Sequence, residues 1–477
     1  MFKKFIWAFT EKGGQFILQF LGVAIMGRFL SPQEYGVYGI MMIFVTVSEQ
    51  LIDSGFGGAL VQKKEISQDD INTLFTSNLL ISIALYLLLF LIAPSFAKFY
   101  GLPQLCQYLR VLGLVVILYA LTIVQMTLLQ RELRFRKSAL ITLLATLISV
   151  CGAIAASICG YGIWSLIFQS LLMAGLMALF LWTTIRRHIG LKINLQSFKS
   201  LWSFGSRLLA ANLLQTAYNN ISTSIIPKIS SMRDSGLFFQ ANRINGIPVG
   251  ILQTTIDKAA FPILSKEKNS EELLVKARML NKSIFAVVLP FFPLLSIFSS
   301  EALYIALGPQ WVDGALYLQI LSWGGVGLLM QTFYRNIIKS QGKTSKILYA
   351  DILKVVIGLI VLACAIPFGT IFLVSGLTMT MFVGTFIYMM IIKKEFNFKC
   401  VSQLSDFIKP MVNAIICYVS FYLLHNCLDF HWYNIFLAVG YCFEYALLAY
   451  LLRMRELTQL INHYILRRKY EAVGIHK

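Results

Sequence analysis

Long apolar stretches recur along the chain and alternate with short polar connections. A helix needs about 20 apolar residues to cross a bilayer core that is about 30 Å thick. Stretches of that length predict fourteen transmembrane helices, numbered here as spans 1 to 14, at approximately 13–30, 36–56, 73–93, 108–130, 138–159, 162–185, 204–226, 236–262, 283–303, 314–334, 347–366, 369–392, 411–428 and 433–452. The stretches on either side of Pro227 are the least apolar, so twelve helices is the alternative count.

The composition favours an all-α polytopic membrane protein. Hydrophobic residues make up 57% of the 477 residues, and charged residues make up only 13%. A soluble protein of this length needs roughly a quarter of its residues charged, because its surface has to be solvated. The same numbers exclude a disordered chain, and eight cysteines are too few for a disulfide scaffold.

Lys and Arg residues are concentrated in every second connection. The formal net charge is +19, and 33 of the 41 basic residues fall in these connections or at the two ends of the chain. By the positive-inside rule the basic connections are cytoplasmic, so both termini are predicted to lie in the cytoplasm. A nucleic-acid footprint would be clustered on one domain, so no nucleic-acid partner is expected.

A weak internal repeat divides the chain. The segment PQEYGVYG, which begins at Pro32, is similar to RDSGLFFQ, which begins at Arg233, and this pairs Gly36 with Gly236. Six spans separate the two segments, so the pattern predicts two pseudo-symmetric six-helix bundles, with chance similarity as the alternative. The predicted domains are an interfacial helix at 1–12, bundles at 13–200 and 201–395, two additional transmembrane helices at 396–452 and a cytoplasmic amphipathic tail at 453–477.

Charged side chains inside the spans are candidates for function, because a charge in hydrocarbon is costly and usually faces a cavity or a partner. Arg28 in span 1 and Arg243 in span 8 have no opposite charge at helical spacing within their spans. Two guanidinium groups in a water-filled cavity suit a phosphate-bearing anion. The other candidates for cavity or coupling charges are Glu49, Asp53, Asp351 and Lys354. Alternatively, Asp53 reaches the cytoplasmic surface, and Asp351 and Lys354 neutralise each other along one helix face.

Amide side chains close to these charges are candidates for binding sugar. In span 8 they are Asn242 and Asn245, beside Pro248, which favours a hinge. Span 7 contributes Gln215, Tyr218, Asn219 and Asn220. Amides and an aromatic ring suit sugar hydroxyls and ring faces, and a helix contact held by amides is the open alternative.

The connections between the spans are too short to hold a catalytic domain. The sequence contains no zinc-protease, P-loop or dinucleotide-binding motif, so neither a metal nor a cofactor is expected. A transporter is therefore expected rather than an enzyme. Cys106 and Cys427 lie near the predicted outer face, and the sequence does not decide whether they interact.

Several stretches resemble the Wzx-type polysaccharide flippases of the polysaccharide transport family. They are GRFLSPQEYG at 27–36, SGFGGALVQ at 54–62, LQRELRFR at 129–136, ANRINGIPVG at 241–250, FPILS at 261–265 and GPQWV at 308–312. The resemblance covers most of residues 10–395 and extends to the branch that exports colanic-acid-like or teichuronic-acid-like polymers. It implies the fold of the multidrug/oligosaccharidyl-lipid/polysaccharide exporter superfamily, in which two six-helix bundles surround a central cavity.

The resemblance also implies a function. A bacterial inner-membrane protein of this kind moves undecaprenyl-pyrophosphate-linked oligosaccharide units from the cytoplasmic to the outer leaflet by alternating access. The product is an exopolysaccharide, capsule, O-antigen or teichuronic-acid-like polymer. Membrane lipids are expected partners, and a polysaccharide polymerase and glycosyltransferases are further ones.

The resemblance extends to individual residues. Arg243 lies in the Arg-x-x-x-x-Pro context of a cavity arginine in related lipid II flippases, and Arg28 lies in a similar run. Asn219 and Asn220 stand where relatives commonly carry an acidic residue, which weakens the case for ion coupling at that position.

Two other functions remain open on the residues alone. A multidrug or cation exporter of the same superfamily would need acidic cavity residues, and the two unpaired arginines argue against it. A membrane polysaccharide polymerase or glycosyltransferase would need a larger outer loop with catalytic groups, and the outer connections are short.

Overall fold

The computed structural model describes residues 2–53, 60, 66–132, 134–185, 189–267, 269–427 and 434–452. Every secondary-structure element in the described ranges is a helix. The α-helices are α1 (Phe2–Met26), α2 (Pro32–Asp53), α3 (Gln68–Tyr100), α4 (Gln104–Leu112), α5 (Leu114–Arg131), α6 (Phe135–Ile158), α7 (Ile163–Thr184), α8 (Leu195–Ile229), α9 (Met232–Leu264), α10 (Ser270–Val288), α11 (Phe291–Ile297), α12 (Ser299–Leu307), α13 (Ala315–Ser340), α14 (Thr344–Ala365), α15 (Thr370–Phe396), α16 (Cys400–Cys427) and α17 (Asn434–Leu451). Short 3-10 helices cover Pro309–Gly314 and Ile366–Phe368.

Each of the fourteen predicted spans overlaps a described helix. The fourth span falls on α4 and α5, and the ninth falls on α10 to α12. In the described part of the chain, ten segments are long and apolar enough to cross a membrane, and α1, α8, α9 and α17 are not among them. Helices α8 and α9 flank Pro227, where the sequence is least apolar. The choice between twelve and fourteen spans stays a prediction.

Local sequence explains where several helices begin. The Ser31 hydroxyl accepts a hydrogen bond from the Glu34 amide, and the Glu34 carboxylate accepts one from the Ser31 amide at 2.7 Å. Ser67 and Asp70 form the same reciprocal pair at the start of α3. These contacts satisfy amide groups that a helix leaves without an internal partner in its first turn.

The described helices group into two compact units. The first contains Met1–Gln240 with Tyr304–Trp311, and the second contains Ala241–Leu303 with Val312–Lys477. The division between the units falls at Gln240, inside α9, whereas the sequence predicted a boundary at residue 200. The predicted domain boundaries stay predictions, and the predicted tail at 453–477 lies outside the described residues.

In the first unit, α1 packs closely along α6. The Glu11 carboxylate on α1 is buried there and accepts hydrogen bonds from the Ser138 hydroxyl at 3.0 Å and from the Thr142 hydroxyl at 3.3 Å. A buried carboxylate is costly unless hydrogen bonds replace water, so these two hydroxyls fix the register of α1 on α6.

In the second unit, α16 and α17 pack against α10 and α11. The buried Asp406 carboxylate accepts hydrogen bonds from the Arg278 guanidinium, with Nη2 to Oδ1 at 2.9 Å. The hydroxyls of Tyr441 and Tyr445 each donate at 3.0 Å to backbone carbonyls of Pro290 and Ala286. The two helices that the sequence places outside the repeat are thus tied to this unit by specific polar contacts.

Candidate functional site

The turn that carries Arg28 follows directly on α1 and is held from outside that helix. The Gly27 carbonyl oxygen accepts hydrogen bonds from Gln310 Nε2 at 2.7 Å and from Trp311 Nε1 at 2.8 Å. Gln310 Nε2 also donates to the Leu30 carbonyl oxygen at 3.1 Å. The stretches GRFLSPQEYG and GPQWV, which lie far apart in the sequence, therefore meet in the first unit.

The Trp311 ring makes this anchor rigid. It is fully buried, and the buried Tyr35 ring meets it edge to face with centroids 5.3 Å apart. The Arg28 side chain itself is exposed, and it has no ion-pair partner among the residues that the structure describes. The backbone at Arg28 is thus fixed, while the guanidinium group stays available for a ligand.

Arg243 lies on α9 in the second unit. Its side chain is half-buried, and within the described ranges it has no ion-pair partner. Asn242 beside it is exposed, whereas Asn245 is buried and donates from Nδ2 to the Leu321 carbonyl oxygen on α13 at 3.1 Å. Asn245 therefore joins two helices, while Asn242 and Arg243 are the groups of this stretch that remain accessible. Helix α9 continues through Pro248.

The predicted amides of span 7 divide between two surfaces of α8. Gln215 Nε2 donates to Asn219 Oδ1 at 2.9 Å on an exposed face. Asn220 Nδ2 donates to the Thr216 carbonyl oxygen at 2.8 Å, and Tyr218 is buried. Gln215 and Asn219 are therefore accessible for binding, whereas Tyr218 contributes to packing.

Asp351 and Lys354 have partners on neighbouring helices. The Asp351 carboxylate accepts a hydrogen bond from the Tyr388 hydroxyl at 2.8 Å and lies 3.5 Å from Arg335 Nη2. Lys354 is buried, and its Nζ lies 3.4 Å from Gln331 Oε1. No direct ion pair between Asp351 and Lys354 occurs among the salt bridges of the described residues. Both side chains thus tie α14 to α13 and α15.

The acidic residues of α2 are half-buried. Glu49 lies within the helix, and Asp53 is its last residue. Asp53 has a polar interaction within the molecule. In the described part of the chain, no group of three His, Cys, Asp or Glu side chains could hold a metal ion. Cys106 is half-buried, and the side chain of Cys427 lies outside the described residues, as does most of the stretch at 54–62.

Sequence reasoning missed three buried polar residues, two of which lie within the second repeat segment. Ser222, Ser235 and Gln240 are fully buried. They were missed because each is uncharged and belongs to no recognised motif. The partners of Asp351 and Lys354 were missed for a similar reason, because Arg335, Tyr388 and Gln331 come from other helices. Helical spacing within one span cannot reveal contacts of that kind.

This arrangement of helices is shared with solved membrane transporters. The structure described as "Lipid II flippase MurJ, inward closed conformation" matches with a TM-score of 0.76 over 93% of this chain and 98% of that chain, at 13% sequence identity. Such an identity shows a common fold and nothing further. The chain is therefore an all-α polytopic membrane protein that shares the fold of that structure, which confirms the predicted fold class.

The family follows from the sequence. The family described as "Polysaccharide biosynthesis protein" matches residues 25–316, and the chain belongs to it. The succinoglycan biosynthesis transport protein ExoT of Rhizobium meliloti (strain 1021) is 26% identical over 68% of this chain and 64% of its own length. The teichuronic acid biosynthesis protein TuaB of Bacillus subtilis (strain 168) is 22% identical over 70% of each chain. The matches thus span about two thirds of these relatives, and the predicted resemblance is confirmed.

Proposed function

We propose that this protein is a flippase that moves lipid-linked oligosaccharide units across the inner membrane of a bacterium for the assembly of a polysaccharide. The membership in the polysaccharide biosynthesis family carries this proposal, because the fold belongs to transporters and the relatives serve succinoglycan and teichuronic acid synthesis. A carrier lipid of the undecaprenyl-pyrophosphate type fits both the membrane location and the two exposed or half-exposed arginines.

In this proposal Arg28 and Arg243 bind the pyrophosphate. A guanidinium group stays protonated inside a membrane and binds a phosphate with two parallel hydrogen bonds. Both side chains lack an ion-pair partner within the described ranges, so no competing carboxylate has to be displaced. A cation exporter would need acidic groups at such positions, which is why the anionic substrate is preferred.

The glycan is proposed to contact Asn242 on α9 and Gln215 and Asn219 on α8. These amides are accessible, and amides suit the hydroxyl groups of sugars. The lipid tail stays in the bilayer while the head group crosses. Alternating access would come from rocking of the predicted bundles about Pro248 and about Pro290, where α10 and α11 are separate helices. A polymerase and glycosyltransferases would act before and after this step.

Deletion of the gene in a polymer-producing cell tests the function. Complete lipid-linked repeat units are expected to accumulate on the cytoplasmic leaflet, where they are protected from a membrane-impermeant oxidant such as periodate in intact spheroplasts. Restoration of the native gene should make the glycan accessible again. Accumulation of incomplete repeat units would instead indicate a transferase and would contradict a flippase.

The arginine roles are tested by Arg243→Glu and Arg243→Lys in the same cell. Reversal of the charge is expected to abolish export, whereas Lys keeps the charge and should retain part of it, because it loses only the two-pronged geometry. Normal export by Arg243→Glu at normal protein abundance would show that Arg243 does not bind the pyrophosphate.

A further inference from the structure

The two glycines that the repeat pairs are in backbone contact. Gly36 is the fifth residue of α2, and Gly236 is the fifth residue of α9. A Cβ atom added to Gly36 would overlap the Met232 carbonyl oxygen and lie 3.0 Å from Gly236 N. A Cβ atom added to Gly236 would overlap the Pro32 carbonyl oxygen and lie 2.9 Å from Gly36 N. No other residue type allows this approach, since every other side chain begins with a Cβ atom.

Reciprocal contacts flank the glycine pair within the first unit. The end of α1 is bound at the Gly27 carbonyl oxygen by Gln310 and Trp311, which lie between α12 and α13. The end of α8 carries Lys228, whose Nζ donates to the Phe99 carbonyl oxygen at the end of α3. The repeat pairs α1 with α8. The end of α1 is bound by the connection after the third span of the second half, and the end of α8 is bound by the end of α3, which contains the third span of the first half. In the predicted topology all these contacts lie at the outer face.

The contact of α2 with α8 and α9 continues beyond the glycine pair. Three buried polar residues adjoin it in the sequence and are called the seam here: Ser222 precedes Thr223, Ser235 precedes Gly236, and Gln240 follows Phe239. A Cβ atom on Gly39 would lie 3.0 Å from the Phe239 ring and 3.4 Å from the Thr223 methyl carbon, so the three helices are in close contact there. The side-chain oxygen of Ser222, that of Ser235 and both amide atoms of Gln240 have no hydrogen-bond partner within the described residues. All three residues are fully buried.

Such groups are unusual in a permanent helix contact. Buried polar atoms are nearly always hydrogen-bonded, because an unpaired donor or acceptor loses its hydration without replacement. Separation of the helices, with entry of water or a ligand, would supply partners for these hydroxyl and amide groups. The seam is therefore better suited to a contact that opens than to one that stays closed.

We propose that this seam is the outer exit of the glycan path. The Gly36–Gly236 contact closes it, and Ser222, Ser235 and Gln240 bind the hydroxyl groups of the passing oligosaccharide when the contact opens. This inference rests on the proposed flippase function and adds Ser222, Ser235 and Gln240 to the substrate path beside the two arginines.

Closure is tested with a cysteine at Ser235, in a chain whose native cysteines are replaced, and with a membrane-impermeant maleimide added from outside. Slow labelling is expected when the glycines are intact, and labelling several-fold faster is expected with Gly36→Ala, because the added methyl group holds α2 and α9 apart. Gly246→Ala is the matched control, since nothing lies within 4 Å of its Cβ position. Equal labelling in Gly36→Ala and Gly246→Ala would overturn the closure.

A disulfide between cysteines at Gly39 and Phe239 tests the same contact without added bulk. Oxidation is expected to stop polymer export, and a reducing agent should restore it. Export that continues while the disulfide is formed would show that the seam does not have to open. This measurement does not require Gly36→Ala to accumulate in the membrane.

The lining role is tested by Gln240→Leu. Loss of an unpaired buried amide should leave the thermal stability unchanged or raised, while export falls several-fold because the path loses a sugar-binding group. Unchanged export would remove Gln240 from the path. If deletion of the gene does not lead to accumulation of lipid-linked glycan, the flippase function fails, whereas the maleimide labelling still reports on opening of the seam.

Discussion

At the scale of single residues, Arg28 combines a fixed backbone with a free side chain. Its turn is held by Gln310 and Trp311, yet its guanidinium group is exposed and lacks an ion-pair partner within the described ranges. A residue held in this way contributes little to stability through its side chain. The guanidinium group is therefore available to bind a ligand.

The first prediction follows from the difference between the fixed backbone and the exposed side chain of Arg28. Arg28→Gln should change the free energy of unfolding by no more than about 0.5 kcal/mol, as for other exposed side chains, but reduce polymer export strongly. Export by Arg28→Lys should fall between that of the native protein and that of Arg28→Gln, because Lys keeps the charge and loses the two-pronged geometry. Export in cells and thermal unfolding of the purified protein measure the two effects. Lys98→Gln, at another exposed base in the first unit, is the control and should leave both unchanged.

The second prediction concerns the residue that holds the Arg28 turn. Gln310→Ala removes hydrogen bonds to the Gly27 and Leu30 carbonyl oxygens and should lower the free energy of unfolding by about 1–3 kcal/mol. Trp311→Phe keeps most of the packing and removes one hydrogen bond, so it should cost less. Thermal unfolding in detergent ranks the two variants. A larger loss for Trp311→Phe would mean that the indole packing, and not the hydrogen bonds, fixes the turn.

At the scale of helices, the sequence predicted the existence of each element better than its contacts. Apolar stretches located fourteen helical regions, because the length of an apolar helix is set by the bilayer and is visible in one sequence. The partners of Asp351 and Lys354 were not predictable, since they come from α13 and α15. Likewise, the sequence predicted Asn245 as a sugar ligand but did not predict its hydrogen bond to the Leu321 carbonyl oxygen on α13.

The third prediction concerns the attachment of α16 to α10. The Asp406 side chain is 1% exposed and accepts from Arg278, while Lys282 Nζ lies 3.6 Å away. Asp406→Asn should destabilise the protein by about 1–3 kcal/mol, because a charge-assisted hydrogen bond is lost at a buried site and Arg278 is only partly rehydrated. Lys282→Gln should have a much smaller effect, since Lys282 Nζ lies 3.6 Å from the carboxylate, beyond hydrogen-bond distance. Hydrogen exchange along α16 shows where stability is lost. Equal effects of Asp406→Asn and Lys282→Gln would contradict the role of the contact between Asp406 and Arg278.

At the scale of the whole molecule, the glycine contact joins two equivalent positions of the internal repeat. Gly36 and Gly236 occupy the same place in two helices that the sequence relates, and they contact each other. The sequence suggested the pairing through a few residues only, and it gave no sign that the paired positions meet. Close approach of two backbones requires residues without side chains. Chemical motifs are defined by side chains, so they do not indicate such a contact.

The last prediction concerns orientation in the membrane, on which the outer position of the seam depends. The basic residues favour a cytoplasmic connection between α7 and α8 and an outer connection between α3 and α4. Green fluorescent protein inserted after Lys192 should therefore fluoresce, and alkaline phosphatase inserted after Leu102 should be active. The exchanged fusions, with each reporter at the other site, should be silent. The reverse pattern would place the glycine contact on the cytoplasmic side, so that the seam would admit the glycan instead of releasing it.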